Sequence, residues 1–302
     1  MPGEQQAGRC APAQENNPQE NPPAQSKADE KDKAVRSSDE NKDKDKDRNQ
    51  SGNEIVAVPN RPTFATTAEA VQRGVLEVEY GMEAADGHQN INGLIKFGIF
   101  KNLELRFLNN PFQRDDGRAG TGDSGAGFKY RIISQRKVLP TFSVLYTASF
   151  STSTSIPGIG AAGHGVDVLF SKDFGKHHFD FNEGVRFLGR PGIGGYDRNY
   201  FTTFDYGHPL PGKWGYAVEC AGFSRANAAT PANMVILLTA TYSPSSRLVL
   251  DIGEYTAVYG NLPRVTFFMG VTYSIADLYH RHRTSPASNQ VLSAAPSQPR
   301  FR

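Results

Sequence analysis

From Gly74 to Ile275 the apolar residues recur at every second position, which is the mark of strands with two chemically different faces. Leu76, Val78, Tyr80 and Met82 alternate with Glu77 and Glu79, and Ile91, Ile95, Phe97 and Ile99 alternate with Asn92 and Lys96. The rule continues through Leu103/Leu105/Phe107 against Glu104/Arg106 and Phe128/Tyr130 against Lys129/Arg131. It holds again for Phe179/Phe181/Val185/Phe187 against Asp180/Asn182/Arg186, and for Trp214/Tyr216/Val218/Cys220 against Glu219. Counted to the last run, Arg264 to Ile275, the pattern predicts twelve strands, and helical periodicity is absent.

The connections between these runs alternate in length. Lys101-Asn102, Ser134–Val138, Asp173–Lys176, Pro209–Lys213 and Ser243–Arg247 are short. Asn109–Thr121, Ser151–His164, Leu188–Arg198, Ser224–Pro231 and Tyr255–Leu262 are long, and Ala84–Gln89 is intermediate. A soluble sandwich has no reason to segregate its turns in this way. A closed antiparallel transmembrane β-barrel of about twelve strands does: tight turns on one side, long loops on the other, an apolar outer face and a polar inner one. An even strand number places both termini on the tight-turn, periplasmic side.

The charges say which face is which. The non-lipid face carries nine acids (Glu77, Glu79, Glu104, Asp123, Asp167, Asp180, Asp205, Glu219, Asp251) and six bases (Lys96, Arg106, Lys129, Arg131, Arg186, Arg264). So many charges do not suit a dry core; they suit a polar lumen in which acids and bases pair across neighbouring strands. Glu77, Glu79, Lys96, Glu104, Arg106, Lys129, Arg131, Asp180 and Arg186 are therefore the candidate lumen and solute-path residues. They either set a transverse field for a solute or pair with one another and fill a narrow barrel. Trp214, Phe174, Tyr242, Tyr200 and Phe150 lie near strand ends, as interfacial girdles require. Glu183 breaks the pattern by falling on the apolar face, so a bulge, a rim position or a shifted register is expected there.

Composition divides the chain. All 32 aromatics lie from Phe64 onward, and residues 1–60 carry nine Lys/Arg against twelve Asp/Glu, a net −3. Such a stretch cannot offset its ordering entropy by burial and is expected to be a disordered charged arm. Residues 61–275 are then the barrel, and 276–302 a basic flexible tail. The formal charge of +2 over 302 residues gives no field that would recruit nucleic acid. The longest aliphatic run, Met234–Leu238, is far short of the roughly 20 residues of a transmembrane helix. Cys10 and Cys220 supply neither a disulfide framework nor a multi-cysteine zinc site. Met1 is followed by Pro, Gly, Glu and Gln, with no apolar leader. Taken literally that leaves the chain in the cytosol, whereas a leader already lost fits the barrel.

Several segments resemble the outer-membrane barrel family described by the MetA pathway of phenol degradation and called simply "transporter". They are Arg61-Pro62-Thr63-Phe64 leading to Gly74-Val75-Leu76-Glu77-Val78-Glu79, then Lys96-Phe97-Gly98-Ile99-Phe100-Lys101-Asn102-Leu103-Glu104-Leu105-Arg106, and Gly122-Asp123 through Gly127-Phe128-Lys129-Tyr130. Asp251-Ile252-Gly253 and Gly270-Val271-Thr272-Tyr273 complete the likeness, which spans roughly Asn60 to Ile275. The resemblance implies a bacterial outer-membrane barrel of about a dozen strands that moves small aromatic or hydrophobic compounds. Its partners would be the lipid bilayer and a small solute, with no cofactor and no covalent chemistry. The long charged arm and the basic tail after the last strand depart from the family pattern.

Other chemistry has weaker support. Gly158-Ile159-Gly160-Ala161-Ala162-Gly163 matches GxGxxG, yet a strand follows it where a dinucleotide site needs a helix. An outer-membrane enzyme at the external rim would need a converging nucleophile, base and orienting group; His164 near Asp167 and Ser151–Ser155 is the only such crowd. Neither His177-His178 nor His280-Arg281-His282 offers three convergent metal ligands. A soluble β protein that binds a partner is the remaining alternative.

Overall fold

The structure, a computed structural model of the chain, describes residues 54–61, 63–154 and 161–279. Their regular structure is all β apart from one 3-10 turn at Pro211–Lys213. The strands are β1 (Val75–Ala85), β2 (His88–Phe100), β3 (Leu103–Asp115), β4 (Arg118–Gly120), β5 (Ser124–Ile133), β6 (Thr141–Phe150) and β7 (Gly163–Phe174). They continue as β8 (His177–Gly189), β9 (Tyr196–Pro209), β10 (Trp214–Phe223), β11 (Asn233–Ser245), β12 (Leu248–Tyr259) and β13 (Val265–Asp277). Each pairs antiparallel with its neighbours, and β1 pairs with β13 from Val75↔Asp277 to Ala84↔Phe267, which closes the sheet. Twelve strands form the barrel; β4 pairs only with the outer half of β3.

That extra hairpin corrects the sequence reading of Asn109–Thr121 as a loop. The strand β3 runs on to Asp115, reverses through Asp116-Gly117 and returns as β4. Positive φ at both turn residues, 48° and 83°, is what a two-residue Asp-Gly hairpin turn requires. Pro111 sits inside β3 at a register shift opposite Ile91–Gly93, where no ladder hydrogen bond is asked of it.

The two faces fall as the alternation predicts. Leu105, Phe107, Phe128, Tyr130, Phe181, Phe204, Val218, Leu238, Ile252 and Met269 are exposed on the outside. Glu77, Glu79, Lys96, Glu104 and Lys129 have no solvent exposure inside. An apolar exterior around a polar interior inverts a soluble barrel and matches a transmembrane one. Phe100, Phe174 and Trp214 ring the short-turn end and Phe150, Tyr200 and Tyr259 the long-loop end, all exposed. Trp214 packs on Tyr242 with ring centroids 4.8 Å apart.

Glu183 does point outward, but without a bulge, since β8 keeps unbroken register with both neighbours. Its Oε2 accepts the Thr202 hydroxyl at 2.5 Å, so a neighbouring strand satisfies the charge locally. Residues 1–53, 155–160 and 280–302, which hold most of the charged arm, the start of the GxGxxG stretch, His280 and His282, lie outside the described residues.

The outward face generates a depth-dependent prediction. Leu238→Arg, at the middle of β11, should destabilise the folded barrel in lipid vesicles by about 2–4 kcal/mol, whereas Phe100→Arg at the strand end should cost about 0–1 kcal/mol. Denaturant unfolding from vesicles measures both, and equal costs would contradict the membrane-facing assignment.

Candidate functional site: a lumen filled by the chain's own segment

The interior charges do more than pair across strands. Residues 54–61 and 63–73, which precede β1 and belong to no strand, run through the lumen as a re-entrant loop. Ala57 donates its N–H to Ser246 O at the β11–β12 turn, so the loop enters at the short-turn mouth. It passes Glu77 and Glu79 on β1, reaches Glu219 on β10, crosses to Asn182 on β8 and Ser171 on β7, and leaves by Glu104 on β3. The boundary that the aromatic count sets at residue 60 falls within this loop.

Its backbone is held by side chains. Val58 N–H donates to Glu77 Oε2 and Asn60 N–H to Glu79 Oε1, both at 2.9 Å. The N–H groups of Phe64 and Ala65 donate to the two oxygens of Glu219 at 2.8 and 2.7 Å. Ala68 N–H donates to Ser171 Oγ at 2.6 Å, and Val71 N–H to Glu104 Oε2 at 2.8 Å. In the other direction, Lys96 Nζ donates to Val58 O, Lys129 Nζ to Thr67 O, and Ser143 Oγ to Ala68 O. Asn182 does both for Thr66, accepting from its N–H and donating to its carbonyl. A peptide with no ladder partner must satisfy its polar groups somehow when buried; here carboxylates and ammonium groups take the place of a neighbouring strand. Each such charge-assisted bond contributes about 1.5–3 kcal/mol.

The candidate solute-path residues fall into three groups. Lys96 sits between Glu77 (2.6 Å) and Glu79, and Lys129 lies 3.6 Å from Glu104, whose other oxygen is 3.8 Å from Arg106 Nε. Arg131 binds Glu69 of the loop at 2.5 Å, not a strand acid. Across the lumen Arg186 pairs with Asp167, and Asp180 accepts from Ser171 Oγ and lies 3.1 Å from His178 Nε2. Sequence reasoning treated all nine as one inward-facing set and did not foresee the main partner of the first group, the loop backbone from Val58 to Val71.

Wall glycines make room for the loop. A Cβ on Gly81 would lie 2.1 Å from the Arg61 guanidinium, and one on its register partner Gly270 would lie 2.5 Å from Arg61 Nε. One on Gly98 would come within 2.1 Å of the Gln72 carbonyl oxygen. Ala65, Ala68 and Val71 are 0–1% exposed, as are Glu77, Lys96, Glu104, Lys129, Leu169, Asn182, Glu219 and Leu237 around the wall. The mid-lumen is filled at that level.

Beyond the fill, toward the long-loop mouth, aromatic side chains gather. Phe64, partly exposed at the loop's apex, meets Phe223 and Tyr255 edge to face at 5.6 and 5.3 Å. Phe201 stacks on Phe223, Tyr255 on Phe268, and the Arg186 guanidinium lies 4.4 Å over the Phe201 ring. The His164/Asp167 crowd does not assemble. His164 stacks on Phe187 at 4.8 Å on the outer face, while Asp167 faces inward to Arg186.

Known structures share this architecture. An outer-membrane channel from Pseudomonas putida F1 aligns with 71% of this chain and all of its own at 12% identity, with a TM-score of 0.53. The NanC porin aligns with 66% of this chain and all of its own at 13% identity, with a TM-score of 0.51. The likeness is one of fold. No family model matches the sequence, and no curated protein does.

Displacing the loop should be readable chemically. In a Cys10→Ser/Cys220→Ser background, Ala65→Cys should resist a water-soluble maleimide, and adding Gly98→Val should speed its labelling at least about tenfold, the equivalent of 1.4 kcal/mol. Fast labelling with Gly98 intact would contradict the filled lumen.

Proposed function

We propose that this chain is a bacterial outer-membrane channel for small aromatic or hydrophobic compounds, of the MetA-pathway type its sequence resembles, and that residues 54–73 hold it closed. The carrying observation is the aromatic lining of the long-loop half of the lumen, Phe201, Phe223, Tyr255 and Phe268, which stands directly over the apex of the loop. The apolar outer face supports membrane residence, and short turns on the side where the chain enters support a periplasmic position for the N-terminus. Binding and passage need no covalent chemistry, and the solute path runs along Glu77, Glu79, Lys96, Glu104, Arg106, Lys129, Arg131, Asp180 and Arg186 once the loop yields.

Opening requires breaking main-chain bonds to lumen carboxylates, so those carboxylates control conductance. In planar bilayers the native protein should show brief, rare openings. Glu219→Ala removes two acceptors at the apex and should lengthen the open time at least about tenfold. Glu104→Ala/Arg106→Ala should do so from the exit side. Benzyl alcohol added on the long-loop side should interrupt the current where glucose does not, and Phe201→Ala/Phe223→Ala should abolish that block. A steady current untouched by any of these changes would refute the proposal.

A further inference from the structure

Within the filled lumen one interaction stands apart, because a side chain of the loop occupies a cavity built into the wall. Arg61 lies where Gly81 and Gly270 leave the wall without side chains, and its Nε is 4.0 Å from Asp251 Oδ2. The Asp251 side chain is 1% exposed, and neither of its oxygens has a hydrogen-bond partner among the described residues. A buried, unpartnered carboxylate is costly unless a cation reaches it. Below the long-loop rim, where Asp197 pairs with Arg190, the inward charges of β9–β12 are Asp205, Glu219 and Asp251, with no wall base among them, so Arg61 is the cation that β12 meets. Three residues on, Phe64 fills the space between Phe223 and Tyr255.

We infer that Arg61 and Phe64 occupy the seats of the channel's own solute, and that the preferred solute class is an aromatic ring joined through a few carbons to an ammonium or guanidinium group. The inference rests on the channel reading above and sharpens it. Asp251 takes the cationic group in the notch between Gly81 and Gly270, and the ring takes the place of Phe64. Such a solute competes with the loop for the same two positions, so binding and opening are linked: whatever stabilises the seated solute disfavours the seated loop. A carboxylate of the same shape would meet Asp251 with like charge and be refused.

The full chain carrying Arg61→Ala/Phe64→Ala empties both seats. With 4-phenylbutylammonium, 4-phenylbutyrate and 4-phenylbutanol as shape-matched probes, two readouts apply. In bilayers, reversal potentials should give a permeability ratio of ammonium to carboxylate of about tenfold or more, falling to near unity when Asp251→Asn is added. In detergent, 4-phenylbutylammonium alone should raise the temperature at which the barrel loses its compact mobility on SDS gels, and Asp251→Asn should remove that rise. Should Asp251→Asn fail to fold, Gly81→Ala fills the notch from the other side and should have the same effect. Conductance with no ammonium preference and no stabilisation overturns the inference and leaves the channel reading intact. Stabilisation by 4-phenylbutylammonium with no current from any variant upholds the site and overturns the channel.

Discussion

A buried main chain must place every N–H and C=O against a partner, and a segment outside the sheet cannot borrow the ladder. That constraint organises this molecule. The loop of residues 54–73 crosses a barrel whose ladders are complete, so its backbone bonds to side chains: Glu77, Glu79, Glu104 and Glu219 accept, Lys96 and Lys129 donate. The ions sit at the lumen's centre because neutral side chains would give weaker and less numerous bonds to a bare peptide. Their mutual pairing, as between Lys96 and Glu77 at 2.6 Å, keeps buried charge balanced while each still reaches the loop.

The same arrangement ties closure to selection. A wall shaped for a loop by Gly81, Gly98 and Gly270 is complementary to particular side chains as well as to backbone. Arg61 against Asp251 and Phe64 against Phe223 and Tyr255 give the occluded state two side-chain anchors on opposite kinds of surface, one acidic and one aromatic. A passing solute and the loop then meet the same atoms, and the chemistry that closes the lumen describes what can replace it.

Much of the fold is legible in the sequence because period-two alternation is local. Leu76 to Met82 against Glu77 and Glu79 states a strand, its faces and its environment within seven residues, and the turn lengths add the topology. Asp116-Gly117 carried a hairpin signal that the long polar stretch around it obscured. The loop is harder to read. Its partners lie 155 residues away at Glu219 and farther still at Ser246 and Asp251, its residues have no period, and an Ala/Thr/Val run such as Ala65–Val71 resembles any linker. The available clue was indirect: Gly81, Gly98 and Gly270 fall on the charged face of otherwise well-filled strands, where a missing side chain means that something else approaches. His164 and Asp167 misled for the complementary reason, since residues three apart on a strand face opposite ways.

Hydrogen exchange over residues 54–73 in the reconstituted, full-length protein reads directly whether lumen side chains hold the loop's backbone. The N–H groups of Val58, Asn60, Phe64, Ala65, Thr66, Ala68 and Val71 belong to no strand, yet should exchange as slowly as those of β1 and β10 because each donates to a lumen side chain. Exchange as fast as that of the exposed 190–195 loop would show that the lumen side chains do not hold the segment and that the barrel is not closed by its own backbone.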